Sequence, residues 1–85
     1  MQDINKKIGI ELQKVRESKD LSLREAAELM DISYSTIYSY ERGVNAINVK
    51  TLKEVCDAYG TNYLDILQKI YYEDKLKEAD SNGNK

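Results

Sequence analysis

The chain has 85 residues, with thirteen basic and fifteen acidic side chains, no histidine, no proline and one cysteine. That length supports a single small domain with a modest core, one cysteine excludes an internal disulfide, and no apolar run is long enough for a signal peptide or a membrane span. A reduced, cytoplasmic setting is expected, and the net charge of −2 is not the footprint usual for a nucleic-acid binder.

Apolar residues recur at helical spacing along the whole chain and glycine is scarce, so the expected fold is all-α. Ile4, Ile8, Leu12 and Val15 predict a first helix over about 5–18. Gly9 within it costs about 1 kcal/mol relative to alanine, which implies a neighbour in close approach. Lys19 and Asp20 form a connector. Ser22, with Glu25 three residues on, reads as a capping box opening a helix over Leu23–Met30. Asp31 stands where the chain must reverse, and Asp tolerates the left-handed region. Ser33 can cap a third helix, Tyr34–Arg42, stopped by Gly43. Ala27 is small at the expected crossing, while Met30, Ile32, Ile37 and Tyr40 fall inward. This is a helix-turn-helix pattern.

Residues 44–47 read as a loop. Asn48 caps a fourth helix whose inward face is Val49, Leu52, Val55, Cys56 and Tyr59, and Gly60 ends it. Asn62, with Asp65, caps a fifth helix carrying Tyr63, Ile66, Leu67, Ile70 and Tyr71. The apolar pattern fades after Glu73. The expected division is a domain over 1–73, with an extension of its last helix to about 78 allowed, and a polar, disordered tail over 74–85. No internal repeat is evident.

The third helix separates into two chemically distinct sides. Ile37, Tyr40 and Glu41 share one, and Tyr34, Ser35, Tyr38, Ser39 and Arg42 share the other. The second set lacks any carboxylate, although a solvated helix face ordinarily carries Glu and Lys. Hydroxyls, aromatic rings and an arginine are groups that hydrogen-bond to base edges and phosphates or pack on thymine methyls. On the inward side, Glu41 needs a cation, and Arg16 near the end of the first helix is the expected partner. Catalysis has no foothold. The chain has no histidine, no glycine-rich phosphate loop and no metal-ligand cluster, and Cys56 falls on an inward face. No cofactor and no metal are expected.

Ile8-Gly9, Leu12, Arg16, the run LSLREAAELMDIS, the segment IYSYERG and the pattern NVKTLKEVCDAYG resemble the Cro/C1-type (XRE) helix-turn-helix domains of phage repressors and bacterial regulators. The resemblance covers about residues 4–70 and implies a compact five-helix, lambda-repressor-like domain with its helix-turn-helix at helices two and three. It also implies a transcriptional regulator, repressor or controller, acting on a double-stranded DNA operator. The third helix would enter the major groove, with Tyr34, Ser35, Tyr38 and Ser39 against the bases. Ser22, Arg24, Arg42, Asn45 and Lys50 would hold phosphates. The chain departs from the family pattern at Leu23, where glutamine is usual, and at Asp31, where glycine is common. Val44 and Asn45 replace basic residues and Ile47 replaces a proline. Fewer loop cations imply a shallower salt dependence, since each neutralised phosphate contributes about −0.9 to the slope.

One domain of this size covers little DNA, so operator-level specificity implies a homodimer on half-sites about 10 bp apart. Ile66, Ile70, Tyr71 and Tyr72, with Leu76, are the expected dimer surface, because tyrosine is enriched at interfaces. Small repressors of phages and mobile elements look alike in this respect, as do controllers of restriction-modification operons. The rival reading is a protein-binding helix-turn-helix module such as an antitoxin or antirepressor. The overall acidity and the two tyrosines on the third helix suit it. Against it, the acids Glu17, Asp20, Asp57, Glu73 and Asp74 lie away from that helix in sequence.

Overall fold

Side-chain caps and left-handed turns set the limits of most helices. The structure, a computed structural model, describes residues 3–83 of the backbone and the side chains of 3–77. Its elements are α1 (Ile4–Ser18), α2 (Leu23–Met30), α3 (Tyr34–Arg42), α4 (Val49–Tyr59) and α5 (Tyr63–Gly83), with no strand among the described residues. Asp3 caps α1 by accepting from the Asn5 amide at 3.0 Å. Asn48 caps α4 by accepting from the Thr51 amide at 2.8 Å, and Asn62 accepts from the Leu64 amide at 2.9 Å at the start of α5.

The core gathers Ile8 and Leu12 of α1, Ala26 and Ala27 of α2, Ile37 of α3, Leu52, Val55, Cys56 and Tyr59 of α4, and Ile66 and Ile70 of α5. α1 lies across α3 and is also covered by α5, so it forms the scaffold on which the other helices are arranged. Gly9 lets the first of these crossings close. A Cβ at this position would stand 2.5 Å from the Tyr40 carbonyl oxygen. Polar contacts add to the second crossing. Glu11 is buried and accepts from Lys69 of α5 at 2.8 Å, with Lys14 at 3.4 Å, while Lys7 pairs with Asp74. Because the lysine partners of Glu11 are half in solvent, these bridges contribute modestly.

Two expectations about apolar residues need correction. Val49 is exposed, because it opens α4 one turn before the stretch that packs on the core. Tyr71, expected with Ile70 at the dimer surface, is exposed because it lies one residue, about 100° of helix, beyond Ile70 on the buried stripe. Ile66 and Ile70, expected at a dimer surface, are each only 4% exposed and close the base of this domain instead. α5 continues to Gly83, past the allowed extension to about 78. Between Gly60 and Gly83 the chain has neither glycine nor proline, so nothing local breaks the helix where its apolar pattern stops. Of the tail expected over 74–85, residues 84 and 85 lie outside the described residues.

Cys56 is fully buried, and loss of hydration pushes its thiol up to about 11. The thiolate is the reacting species, so alkylation by iodoacetamide at pH 8 is expected to follow the unfolding curve in urea. Rapid modification of the native protein would contradict that burial.

Candidate nucleic-acid interface

The turn between α2 and α3 is built by local hydrogen bonds that fix the angle between the two helices. At the start of α2, Ser22 Oγ accepts from the Glu25 amide at 3.0 Å and the Ser22 amide donates to Glu25 Oε1 at 2.9 Å. The Ser22 amide first, and then its hydroxyl, hold the Glu25 carboxyl below the usual carboxylate range. At the end of α2, Asp31 takes the left-handed conformation, φ 55°. The Ile32 amide donates back to the Ala27 carbonyl at 3.1 Å and the Asp31 amide to Glu28 at 3.3 Å. This is the doubly bonded αL termination that glycine usually makes, here made by aspartate. Two residues later Ser33 Oγ accepts from the Thr36 amide at 3.2 Å and opens α3.

α3 ends in the same way. Gly43, at φ 70°, follows Arg42, with the Val44 amide bonded to the Ser39 carbonyl at 3.0 Å and the Gly43 amide to Tyr40 at 3.1 Å. The bounds of α3 are therefore fixed at both ends. Ile37 and Glu41 are buried along one side and Tyr40 is half-buried. Tyr34 and Tyr38 are 57% and 48% exposed on the other, with Ser35 and Arg42 also exposed and Ser39 half-buried. The Arg42 guanidinium lies over the Tyr38 ring, 5.8 Å from its centroid, and Ser35 Oγ is 3.2 Å from Ser33 Oγ. The i, i+4 spacing of Tyr38 and Arg42 permits that stacking in any helix.

The residues expected at phosphates are Ser22, Arg24, Asn45 and Lys50, besides Arg42, and all are exposed. Ser22 lies at the N-terminus of α2, where unpaired backbone amides and the helix dipole favour an anion. Its oxygen serves as the cap and its hydroxyl also bonds to the Glu25 carboxylate, so an anion here would meet the backbone amides first. Arg24 follows within the first turn of α2, Asn45 lies in the loop after α3, and Lys50 lies in the first turn of α4.

Behind this face Arg16 forms a fork with Glu41: Nε donates to Oε2 at 2.7 Å and Nη2 to Oε1 at 3.1 Å. Its remaining nitrogen, Nη1, donates to the Leu21 carbonyl at 2.7 Å. One guanidinium therefore ties α1 to the last turn of α3 and to the segment entering α2. The hydrogen bond to Glu41 is the main reason the Arg16 pKa is raised, against the opposing effect of burial. The Tyr59 hydroxyl is buried in the same region and has no hydrogen-bond partner among the described residues. Burial first, then the nearby Glu41 charge, pushes it up to about 12, with Arg16 opposing. Two features lay outside the expectations from sequence. The i, i+4 spacing allows the Arg42–Tyr38 stack without specifying it, whereas the burial of Glu11 depends on Lys69 far along the chain. Among the described residues no cluster of metal-binding side chains occurs, and no helix is long and apolar enough to cross a membrane.

Comparison with known proteins gives a consistent picture. A family described as helix-turn-helix matches residues 12–66. The chain is 30% identical over 79 residues, 93% of its length, to an uncharacterised HTH-type transcriptional regulator of Rickettsia conorii. It is 28% identical over 60 residues, 71% of its length, to the antitoxin PezA of Streptococcus pneumoniae. The chain spans 58% of the first of these proteins and 38% of the second. Among solved structures, the clp gene regulator ClgR from Corynebacterium glutamicum superposes with a TM-score of 0.80 at 27% identity, covering 95% of this chain and 86% of that one.

Proposed function

Because the chain belongs to the Cro/C1-type helix-turn-helix family of DNA-binding transcriptional regulators, which are not enzymes, we propose that it occupies a pseudo-palindromic operator as a homodimer and regulates transcription there as a repressor or controller. α3 lies in the major groove, with Tyr34, Ser35, Tyr38 and Ser39 toward the bases. Ser22, Arg24, Arg42, Asn45 and Lys50 hold the phosphate backbone on either side. The observation that carries this reading is the exposed side of α3, which has two rings, hydroxyls and a guanidinium but no carboxylate. In the cytoplasm such a protein needs no cofactor, only a duplex and a second copy of itself.

The dimer surface is proposed on α5 beyond its last buried residue. Tyr71 and Tyr72 are 56% and 58% exposed, their rings meet edge to face with centroids 5.5 Å apart, and Leu76 is exposed one turn further on. Exposed apolar groups grouped in this way suit a symmetric contact. Half-sites about 10 bp apart, centre to centre, would match such a dimer.

The experiment is a mobility-shift titration with a duplex selected from a random library. Ser35→Ala and Arg42→Ala are each expected to weaken binding by about tenfold with the thermal midpoint unchanged, since both side chains are exposed. If both variants shift the duplex as the parent does, α3 does not read it. Similarity to PezA supports a second reading, in which this face meets a protein and the chain acts as an antitoxin or antirepressor module. The same unchanged titration would favour it.

A further inference from the structure

Resting on the DNA-reading face proposed above, we infer that the operator is recognised chiefly through thymine methyl groups, packed against the rings of Tyr34 and Tyr38. The inference comes from what α3 offers and what it withholds. Bidentate reading of adenine needs an amide side chain, and Tyr34–Arg42 contains neither asparagine nor glutamine. Asn45, the next amide along the chain, lies beyond Gly43 in the loop. Reading of cytosine needs an acceptor such as a carboxylate. Glu41 is the only one on α3, and both its oxygens accept from Arg16 in the protein interior. Guanine is left to Arg42, which lies in the last turn and is already stacked on Tyr38. Ser35 and Ser39 can bond to several base edges and so discriminate weakly.

What remains is apolar contact. Tyr34 and Tyr38 project from the same side of α3, one turn apart, and neither ring is covered by the protein core. Four residues of α-helix rise about 6 Å, close to two base-pair steps of about 3.4 Å each. The two rings are therefore spaced for thymines about two steps apart in each half-site. The guanidinium over Tyr38 restrains that ring before DNA arrives, which lowers the entropic cost of the contact.

The test uses the full chain and the duplex selected from a random library, synthesised a second time with deoxyuridine in place of thymine. Uracil keeps every hydrogen-bonding edge and removes only the methyl. Each contacted methyl is expected to be worth about fourfold in affinity. Tyr38→Ser is expected to abolish the sensitivity at one thymine and Tyr34→Ser at the other, while Tyr38→Phe retains it. Unchanged binding to the uracil duplex overturns methyl recognition and leaves the reading face of α3 standing. Full uracil sensitivity in both serine variants overturns it as well. If no preferred duplex can be selected at all, the reading face is lost and methyl recognition with it.

Discussion

Glu41→Ala is expected to destabilise the protein by about 3–5 kcal/mol, the range observed when one member of a buried ion pair is removed. A domain of this length is held together by roughly 4–13 kcal/mol in total, so this one change removes a large share of its stability. The reason is geometric. Glu41 is almost entirely inside, and the guanidinium facing it through two hydrogen bonds, at 2.7 and 3.1 Å, is itself only 10% exposed, so little water can replace the carboxylate. Arg16→Ala is expected to cost as much and to leave the Leu21 carbonyl without its donor as well. Arg16→Lys does not rescue, because an ammonium cannot serve both oxygens of Glu41 and the carbonyl of Leu21 in one plane. Replacing both partners by leucine or methionine is expected to recover much of the loss, since no lone charge is then buried. The recovery stays incomplete because the Leu21 carbonyl remains unpaired. Urea unfolding of the four variants checks this, and a Glu41→Ala cost below about 1 kcal/mol would show that the pair is solvated.

The same pair shows what the sequence could and could not convey. Arg16 and Glu41 were legible together because a carboxylate on the apolar side of a helical wheel demands a cation, and a candidate lay at the right place on α1. The limits of α2 and α3 were legible because Ser22, Glu25, Asp31, Ser33 and Gly43 act locally, through hydrogen bonds that span only a few residues. Long-range packing was harder to read. Nothing near Glu11 distinguishes it from a solvated surface acid, since its burial depends on α5 folding back and bringing Lys69 to it. Ile66, Ile70 and Tyr71 all belong to the apolar pattern of α5, yet the domain encloses the first two and leaves the third outside. Allocation between core and surface is a property of the packed helices, and a list of apolar positions leaves it open. For the candidate site, the sequence separated the two sides of α3. It did not reveal that Arg42 rests on the Tyr38 ring, although the spacing allowed it.

Gly9→Ala sets two well-known effects against each other, and the sign of the result decides between them. Helix propensity alone favours alanine by about 1 kcal/mol at an interior position such as this. Packing opposes it. The added methyl would stand 2.5 Å from the Tyr40 carbonyl oxygen and 2.7 Å from the Glu41 carbonyl carbon, with the Glu41 carbonyl oxygen closer still. These are backbone atoms in the final turn of α3, so no rotamer change can move them away. α1 and α3 must separate, and that also strains the fork from Arg16 to Glu41 which spans the same crossing. Overpacking of this kind costs about 1–3 kcal/mol and sometimes more. Contacts this short with backbone atoms put the cost at the top of that range, so after the propensity gain a net loss of about 2 kcal/mol is expected, roughly 8–16 °C in thermal midpoint for a domain of this size. A midpoint equal to the parent's, or higher, would show that α1 and α3 do not approach as closely as described. Operator affinity measured well below the midpoint offers an independent check. Because α3 is held in place from behind by this contact, tilting it displaces the proposed base-reading residues, and affinity should fall even where the variant is fully folded.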